Sequence, residues 1–577
     1  MAVVPFENLS SNSELDWLNR ALPAVLVSDL AGSPRVFVQA EDSVDTAYGV
    51  YASRVLKGYF YVRNGRLDIR ATLQDLRHPN SVQSFQVFGS ENSAARLVDA
   101  LARDLNPSAH AFSSSNSALR AYGSALQTRD RPEALRDLEL ATKDDPRFSL
   151  AYLDWARLLA AQGDRAGALK VIEASARVPQ DPMGSAEINL FAASLHNDLA
   201  ARESALADLG RLTPANDQVF HQLAELQLSH RQFQQAARNF EAAARLNPDE
   251  EQTWNELGYT YAYAQDLSDA RRALEHYRAL LPVENGNALD SLGEVSFYLG
   301  DFNEAAGYFL KADEKNGSQF SGVELVKAAE ALLMQDRLAD ADALFRKYIH
   351  LIGLRNPTGA VLDMTRWNFL TGRRREAMDS LSKALPAFNP DAQSLALSQL
   401  SIWKLQTGDR KSAAELANQA AVGAISPAAR NLSELCRTMA SPPAGTSGSK
   451  LADAFALVFA RKYTDAAPLL DALYRGMNPE ADGQIRILLA WALAKANRLA
   501  DAEPLLTICP LPLESGDPAF ASFIFPRYLF LRGLVFQHQG NSAEAKRAFG
   551  LFARYSGDIP DIEIGENSKL EVHVQQP

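Results

Sequence analysis

Residues 251–282, EQTWNELGYTYAYAQDLSDARRALEHYRALLP, decide the fold. Trp254, Leu257, Gly258 and Tyr261 keep helical spacing, and Ala270, Leu274 and Tyr277 repeat it before Pro282 stops the second helix. Gly258 and Ala270 are small where two antiparallel helices must approach, and the large residues fill the gap to the next pair. One period earlier stand Phe220, Leu223, Ala224, Phe233, Ala236, Phe240, Ala243 and Pro248. One period later come Leu289, Leu292, Gly293, Phe302, Ala305, Phe309 and Ala312.

The period is near 34 residues, and its phase extends outward with falling fidelity. Upstream it passes through Ala134, Leu138, Ala141 and Pro146, then Trp155, Ala156, Ala168 and Ile172, then Ala205 and Leu209. Downstream it runs through Leu325, Ala341 and Phe345, then Thr365, Ala377 and Leu381, then Leu397, Gly408 and Ala413. Ser441-Pro442-Pro443-Ala444-Gly445-Thr446-Ser447-Gly448-Ser449 interrupts the array as an expected hinge, after a lone helix near Pro427 to Met439. Ala466 with Leu470, Ala490 with Ala502, and Gly533 with Ala545 and Phe549 restart it. The pattern resembles the tetratricopeptide repeat family over most of residues 116–556. That resemblance implies a mainly α fold, an α-solenoid of about twelve helical hairpins, and a concave groove lined by the first helix of each hairpin.

Before residue 107 the composition differs. Ala2 to Pro5 and Arg35 to Gln39 are strand candidates around a helix over Ser13 to Leu30. Arg54 to Arg63 and Arg66 to Leu76 flank Asn64-Gly65, a pair suited to a type I′ hairpin, and Ser81 to Phe88 follows the turn His78-Pro79-Asn80. A helix over Ser93 to Leu105 closes a small α/β domain. The run Ala2-Val3-Val4-Pro5-Phe6-Glu7-Asn8-Leu9-Ser10, with Val55 to Phe60 and Leu67 to Asp75, resembles the TolB amino-terminal-like domain. The resemblance implies an interaction module without catalytic residues, of a kind that precedes tetratricopeptide arrays in bacterial signalling proteins. The expected division is therefore 1–107, 116–440, a linker at 441–449, further repeats at 450–556 and a tail at 557–577, with Leu570 to Val574 alternating like a strand.

The chain has 577 residues and a formal charge of −12, from 58 Lys and Arg against 70 Asp and Glu. That balance opposes nonspecific binding to nucleic acid or anionic lipid and favours protein partners. Cys436 and Cys509 form neither a disulfide framework nor a multi-cysteine metal site. Phe520 to Phe536 is apolar but carries Pro526, Arg527 and Arg532, and reads as a core helix rather than a membrane span. The start at Met1 shows no secretory signal pattern, which gives a cytoplasmic protein if Met1 is the true start and a periplasmic part of a larger anchored protein otherwise.

No phosphate-binding glycine motif and no zinc-ligand spacing occurs, so no cofactor or metal is expected. Ser380-x-x-Lys383 and Ser447-x-x-Lys450 match a serine–lysine nucleophile only formally, without its partner motifs. The expectation is a non-enzymatic scaffold. Its rivals are the sensory region of a signalling protein whose effector domain lies elsewhere, and an enzyme whose site converges from several repeats.

Carried onto this sequence, the family's groove positions in the three clearest repeats are Gln218, His221, Glu225, Leu228 and Ser229; Gln252, Asn255, Tyr259, Ala262 and Tyr263; and Asn287, Asp290, Glu294, Phe297 and Tyr298. They are acidic, amide-bearing and aromatic, without Lys or Arg, so the carboxylate-clamp members are not matched. The candidate site is Gln218, His221, Glu225, Asn255, Tyr259, Tyr263, Asp290, Glu294 and Tyr298. It suits an extended or helical peptide whose Lys or Arg pairs with Glu225, Asp290 and Glu294 and stacks on Tyr259, Tyr263 and Tyr298. The alternative is an ordinary solvated helix face with tyrosines packed between helices, His221 then being a polar surface residue rather than a pH-sensitive contact.

Overall fold

A computed structural model describes residues 1–561 apart from positions 11, 34, 51, 79, 108, 110–114, 282–285, 317–321, 444, 515 and 560. Pro79, Pro282, Ala444 and the tail from 562, with its expected strand at Leu570 to Val574, lie outside the described residues. Two compact units divide the chain: residues 1–227 with 238–249, and residues 228–237 with 250 onward.

In the first unit, β1 (Ala2–Val3) pairs in parallel with β3 (Gln39–Ala40) and β4 (Arg54–Arg63), and β2 (Glu7–Asn8) also joins β4. β4, β5 (Arg66–Asp75) and β6 (Val82–Ser90) form an antiparallel meander. Asn64 and Gly65 turn β4 into β5 with φ of 53° and 72°, the positive values a type I′ turn requires. Alternation then sends Leu67, Ile69 and Ala71 to one buried face, which the helices Leu18–Leu30 and Ala94–Leu105 cover. The expected strand at Arg35 to Gln39 shrinks to Gln39–Ala40, the two residues that pair in parallel with Ala2 and Val3. A short helix at Val44–Gly49, closed by a Ser43/Thr46 capping box, escaped the sequence reading.

Residue 107 is not a packing boundary. The sheet's core continues into the first hairpin, Asn116–Gln127 and Arg131–Asp144, through Leu119, Tyr122 and Leu138. A Cβ on Gly123 would come within 2.5 Å of the Trp17 carbonyl oxygen, so glycine there sets the approach of the two layers.

Helical hairpins of the tetratricopeptide type fill the remainder of both units, and about twelve occur among the described residues. Their inner turns share one device. Gly163, Asn197, Arg231, Gln265, Gly300, Asp336, Gly372 and Gly408 all have positive φ, recurring every 34 to 36 residues. This left-handed residue reverses the chain, and the next residue is often an aspartate that caps the second helix: Asp164, Asp198, Asp266 and Asp409 each accept a backbone N–H three residues on. Close packing follows inside the hairpin. A Cβ on Gly258 would sit 2.5 Å from Leu274, and one on Gly293 would sit 2.6 Å from the Phe309 ring.

In the second unit, the hairpins after residue 450 turn back against the earlier ones. Gln399 and Gln406 donate to the carbonyls of Ala519 and Ser522 at 2.9 and 2.8 Å, and Tyr555 donates to Leu333 at 3.0 Å. One apolar core runs from Phe297 through Trp367, Trp491 and Phe530 to Tyr555. Residues Pro518–His538 are long and apolar enough to cross a membrane, yet 83% of that stretch is buried inside this unit. The expected hinge is exposed at Ser441 and at Gly445 to Ser449, but the helices on its two sides, Pro427–Ala440 and Lys450–Phe459, share the same core through Met439 and Phe455. The hinge therefore joins two parts of one packed body.

Candidate functional site: a polar cavity on the concave helices

The nine expected site residues fall into two groups. Gln218, His221 and Glu225 lie in the first unit. There the His221 ring stands edge-on to Phe240 at 5.3 Å, and its Nε2 lies 3.7 Å from Glu225, whose carboxyl is held below its usual range by that histidine. Asn255, Tyr259, Tyr263, Asp290, Glu294 and Tyr298 lie in the second unit and line one cavity of about 620 Å³.

The helices Glu251–Tyr263, Gly286–Tyr298 and Val323–Met334 present these side chains because residues three and four apart share a helix face. The Tyr259 hydroxyl donates to Glu294 at 2.6 Å. Lys327, from the third helix, donates to Asp290 at 2.7 Å and to Glu294 at 2.6 Å. Two carboxylates share one ammonium, and burial together with the Glu294 charge raises Asp290 to about 6. Burial opposes the charge of Lys327, but Glu294 and Asp290 outweigh it and hold the ammonium above its ordinary value. Burial and the Glu294 charge likewise push the hydroxyls of Tyr259 and Tyr298 far up, so both stay protonated.

These contacts correct the expectation of freely offered acids and open aromatic platforms. Asp290 and Glu294 already hold a cation, and Tyr263 is only 6% exposed, stacked between Phe233 at 5.5 Å and Tyr298 at 6.5 Å. The absence of Lys and Arg held only for the three repeats considered. One repeat further, Glu330 stands in the register of Glu294, and Lys327 stands one position beyond that of Asp290.

The opposite wall comes from the returning chain. Arg231, in a left-handed turn, pairs with the buried Asp482 at 2.7 Å, donates to the Tyr474 carbonyl at 2.9 Å and lies over the Tyr474 ring. Arg486 takes the other Asp482 oxygen at 2.9 Å and donates to the Ile508 carbonyl at 3.0 Å. The segment around residues 505–513 is fixed over the concave helices by two further bonds. The Cys509 N–H donates to the Tyr298 carbonyl at 2.9 Å, and the Leu513 N–H to Glu330 at 2.6 Å. Glu480 and Glu514 complete the lining without an ion-pair partner among the described residues. Sequence reasoning missed this wall because contacts between residues 231 and 482, or 330 and 513, leave no trace in a 34-residue period.

The cavity thus carries Asp290, Glu294, Glu480, Asp482 and Glu514 against Arg231, Lys327 and Arg486. Four buried polar atoms that belong to its lining residues have no hydrogen-bond partner: the donor Arg231 Nε, and Asn255 Oδ1, Tyr263 Oη and Asp290 Oδ1.

No protein-family model matches the chain, and no curated protein matches it. Among solved structures it is similar to MamA 41-end from Desulfovibrio magneticus RS-1, at 17% identity and TM-score 0.25, over 28% of this chain and 94% of that one. It is also similar to PilW, described as a widely conserved type IV pilus biogenesis factor, at 20% identity and TM-score 0.27, over 34% and 92%. A third similarity is to YrrB, described as a TPR protein with an unusual peptide-binding site, at 15% identity and TM-score 0.22, over 40% and 96%.

Proposed function

We propose that the chain is a non-enzymatic, protein-binding scaffold of the tetratricopeptide type, and that it captures a Lys- or Arg-bearing segment of a partner at the second unit's cavity. The observation that carries this reading is the surplus of acid there: five carboxylates against three cations, with Glu480 and Glu514 left over. A cavity of about 620 Å³ admits a few side chains rather than a long helix, so the segment enters by its basic residues and not along the full length of the array. This capture does not require Gln218, His221 or Glu225, which belong to the first unit. Residues 1–107 serve as a second interaction module, a reading supported by their resemblance to the TolB amino-terminal-like domain.

The test is fluorescence anisotropy with short labelled peptides of lysine, arginine or glutamate in a neutral background. Basic peptides bind and weaken as salt rises, and the doubly substituted Glu480→Gln, Glu514→Gln chain loses them while melting as before. Equal binding of acidic peptides, or retention of basic ones by that variant, overturns the reading.

A further inference from the structure

The cavity's chemistry can be specified further, on the premise that its acidic surplus marks a binding site. Tyr263 is 6% exposed and lines the cavity, yet its hydroxyl has no partner. Asn255 Oδ1 and Asp290 Oδ1 are also buried and unpartnered. Asn255 Oδ1 and Asp290 Oδ1 are acceptors and the Tyr263 hydroxyl can accept as well as donate, so in a site with excess negative charge the partner that suits all three is a donor carrying positive charge.

Their placement separates them into two ends. Asn255 and Tyr263 lie on one helix, two turns apart, or about 12 Å at 1.5 Å per residue. Asn255 and Asp290 occupy the same position in consecutive repeats, which puts an amide and a carboxylate oxygen at one end. At the other end Glu480 is the charge felt most strongly by the Tyr263 hydroxyl. Tyr259 lies between Asn255 and Tyr263 on the same helix, and the Tyr298 ring stacks on Tyr263 at 6.5 Å, so aromatic surface for an aliphatic chain runs toward that end. The surplus of two carboxylates matches two positive charges rather than one.

The acceptors also discriminate between kinds of cation. A guanidinium binds best to two coplanar carboxylate oxygens, but Asp290 Oδ2 is held by Lys327 and both Asp482 oxygens are held by Arg231 and Arg486. At Asn255, Asp290 and Tyr263 the unpartnered atoms are single oxygens, which suit the compact ammonium group, whereas Glu480 and Glu514 keep whole carboxylates that either cation can use.

We infer that the cavity binds two alkylammonium groups about 12 Å apart, supplied either by a free linear diamine or by two lysine side chains of a captured segment.

The experiment is titration calorimetry of the full chain at low salt and neutral pH. The probes are 1,8-diaminooctane, 1,3-diaminopropane, 1-aminooctane, and blocked pentapeptides with lysine or arginine at both ends of three alanines. The long diamine or the lysine peptide binds at least about tenfold tighter than the short diamine and the monoamine. Tyr263→Phe and Glu480→Gln each weaken it about tenfold, with thermal melting run beside each to confirm folding. Binding of the diamine alone identifies a free solute, and binding of the lysine peptide alone identifies a partner segment. Equal affinity for 1-aminooctane, or unchanged affinity in both variants, overturns the two-ended site. Binding of the arginine peptide without any ammonium probe overturns it too, and leaves the basic-segment reading intact. If no probe binds, both readings fall.

Discussion

Tyr259 donates a 2.6 Å hydrogen bond to Glu294, one repeat further along the concave face, and Glu294 in turn accepts from Lys327 of the next repeat at 2.6 Å. Three consecutive hairpins are thereby tied by one chain of polar contacts. Tyr259→Phe removes one link and leaves Glu294 its lysine. The expected cost is about 1–2 kcal/mol in urea unfolding, larger than for a solvent-exposed tyrosine because the acceptor is largely buried.

Asp290 gives the second unit a pH dependence with a defined window. Its carboxyl rises on folding from an ordinary 3.8 to about 6, so the native state holds the proton more tightly than the unfolded state. That contribution is fully present below pH 3.8 and is lost as pH rises through about 6. Asp290→Asn removes the slope. Its melting temperature, measured against the parent by calorimetry, gains between pH 4 and 6 and then levels off.

Glu330 behaves alike. It is fully buried, and burial together with the nearby Glu514 pushes its carboxyl well above its ordinary value, while Leu513 donates to Oε1 at 2.6 Å. Stability from the neutral form is lost as pH climbs through that raised value. Glu330→Gln mimics the neutral carboxyl and keeps the acceptor for Leu513. Its advantage over the parent grows as pH rises above 4.5, the ordinary value of the carboxyl.

Arg231 ties the returning chain to the central repeats. Arg231→Met breaks the 2.7 Å pair with Asp482 and the bonds to the carbonyls of Tyr474 and Met477. Because Asp482 keeps Arg486, the cost is about 2–3 kcal/mol, at or below that of stranding a buried charge outright. Limited proteolysis then cuts first near Tyr474 to Pro479.

Two glycines make a paired test of helix packing. At Gly258 a Cβ meets Leu274 at 2.5 Å, so Gly258→Ala costs about 1–3 kcal/mol through overpacking. At Gly307, inside the helix Phe302–Asn316, nothing lies within 4 Å, and Gly307→Ala gains about 0.5–1 kcal/mol from helix propensity. Chemical denaturation of both variants reads the contrast.

The hairpins were legible because their packing is local. Gly258 against Leu274 and Gly293 against Phe309 recur within each repeat, and the period writes them along the chain. The Asn64-Gly65 turn was legible for the same reason, since two adjacent residues set it. Asn255, Tyr259, Tyr263, Asp290, Glu294 and Tyr298 were found because they hold fixed positions in that period, and they do line one cavity. Their burial was not legible. It depends on Arg231 meeting Asp482 and on Cys509 bonding to Tyr298, partners hundreds of residues apart whose types are unremarkable where they stand. The unbroken core across residues 441–449 escaped for a related reason: a Pro- and Gly-rich stretch reports local backbone freedom and says nothing of what packs on either side.

The single core from Phe297 to Tyr555 also bears on how the protein is made. A ribosome delivers Trp367 and Trp403 long before the helix Ala521–His538, which packs on the helix of Trp367 and accepts from the Trp403 indole through Ser522. At about 5–20 residues per second the interval is roughly 6–35 s, during which the nascent chain shows apolar surface to water. Fast local folding of each hairpin does not close that gap, so until synthesis ends the unit exposes apolar surface of the kind that holding chaperones bind.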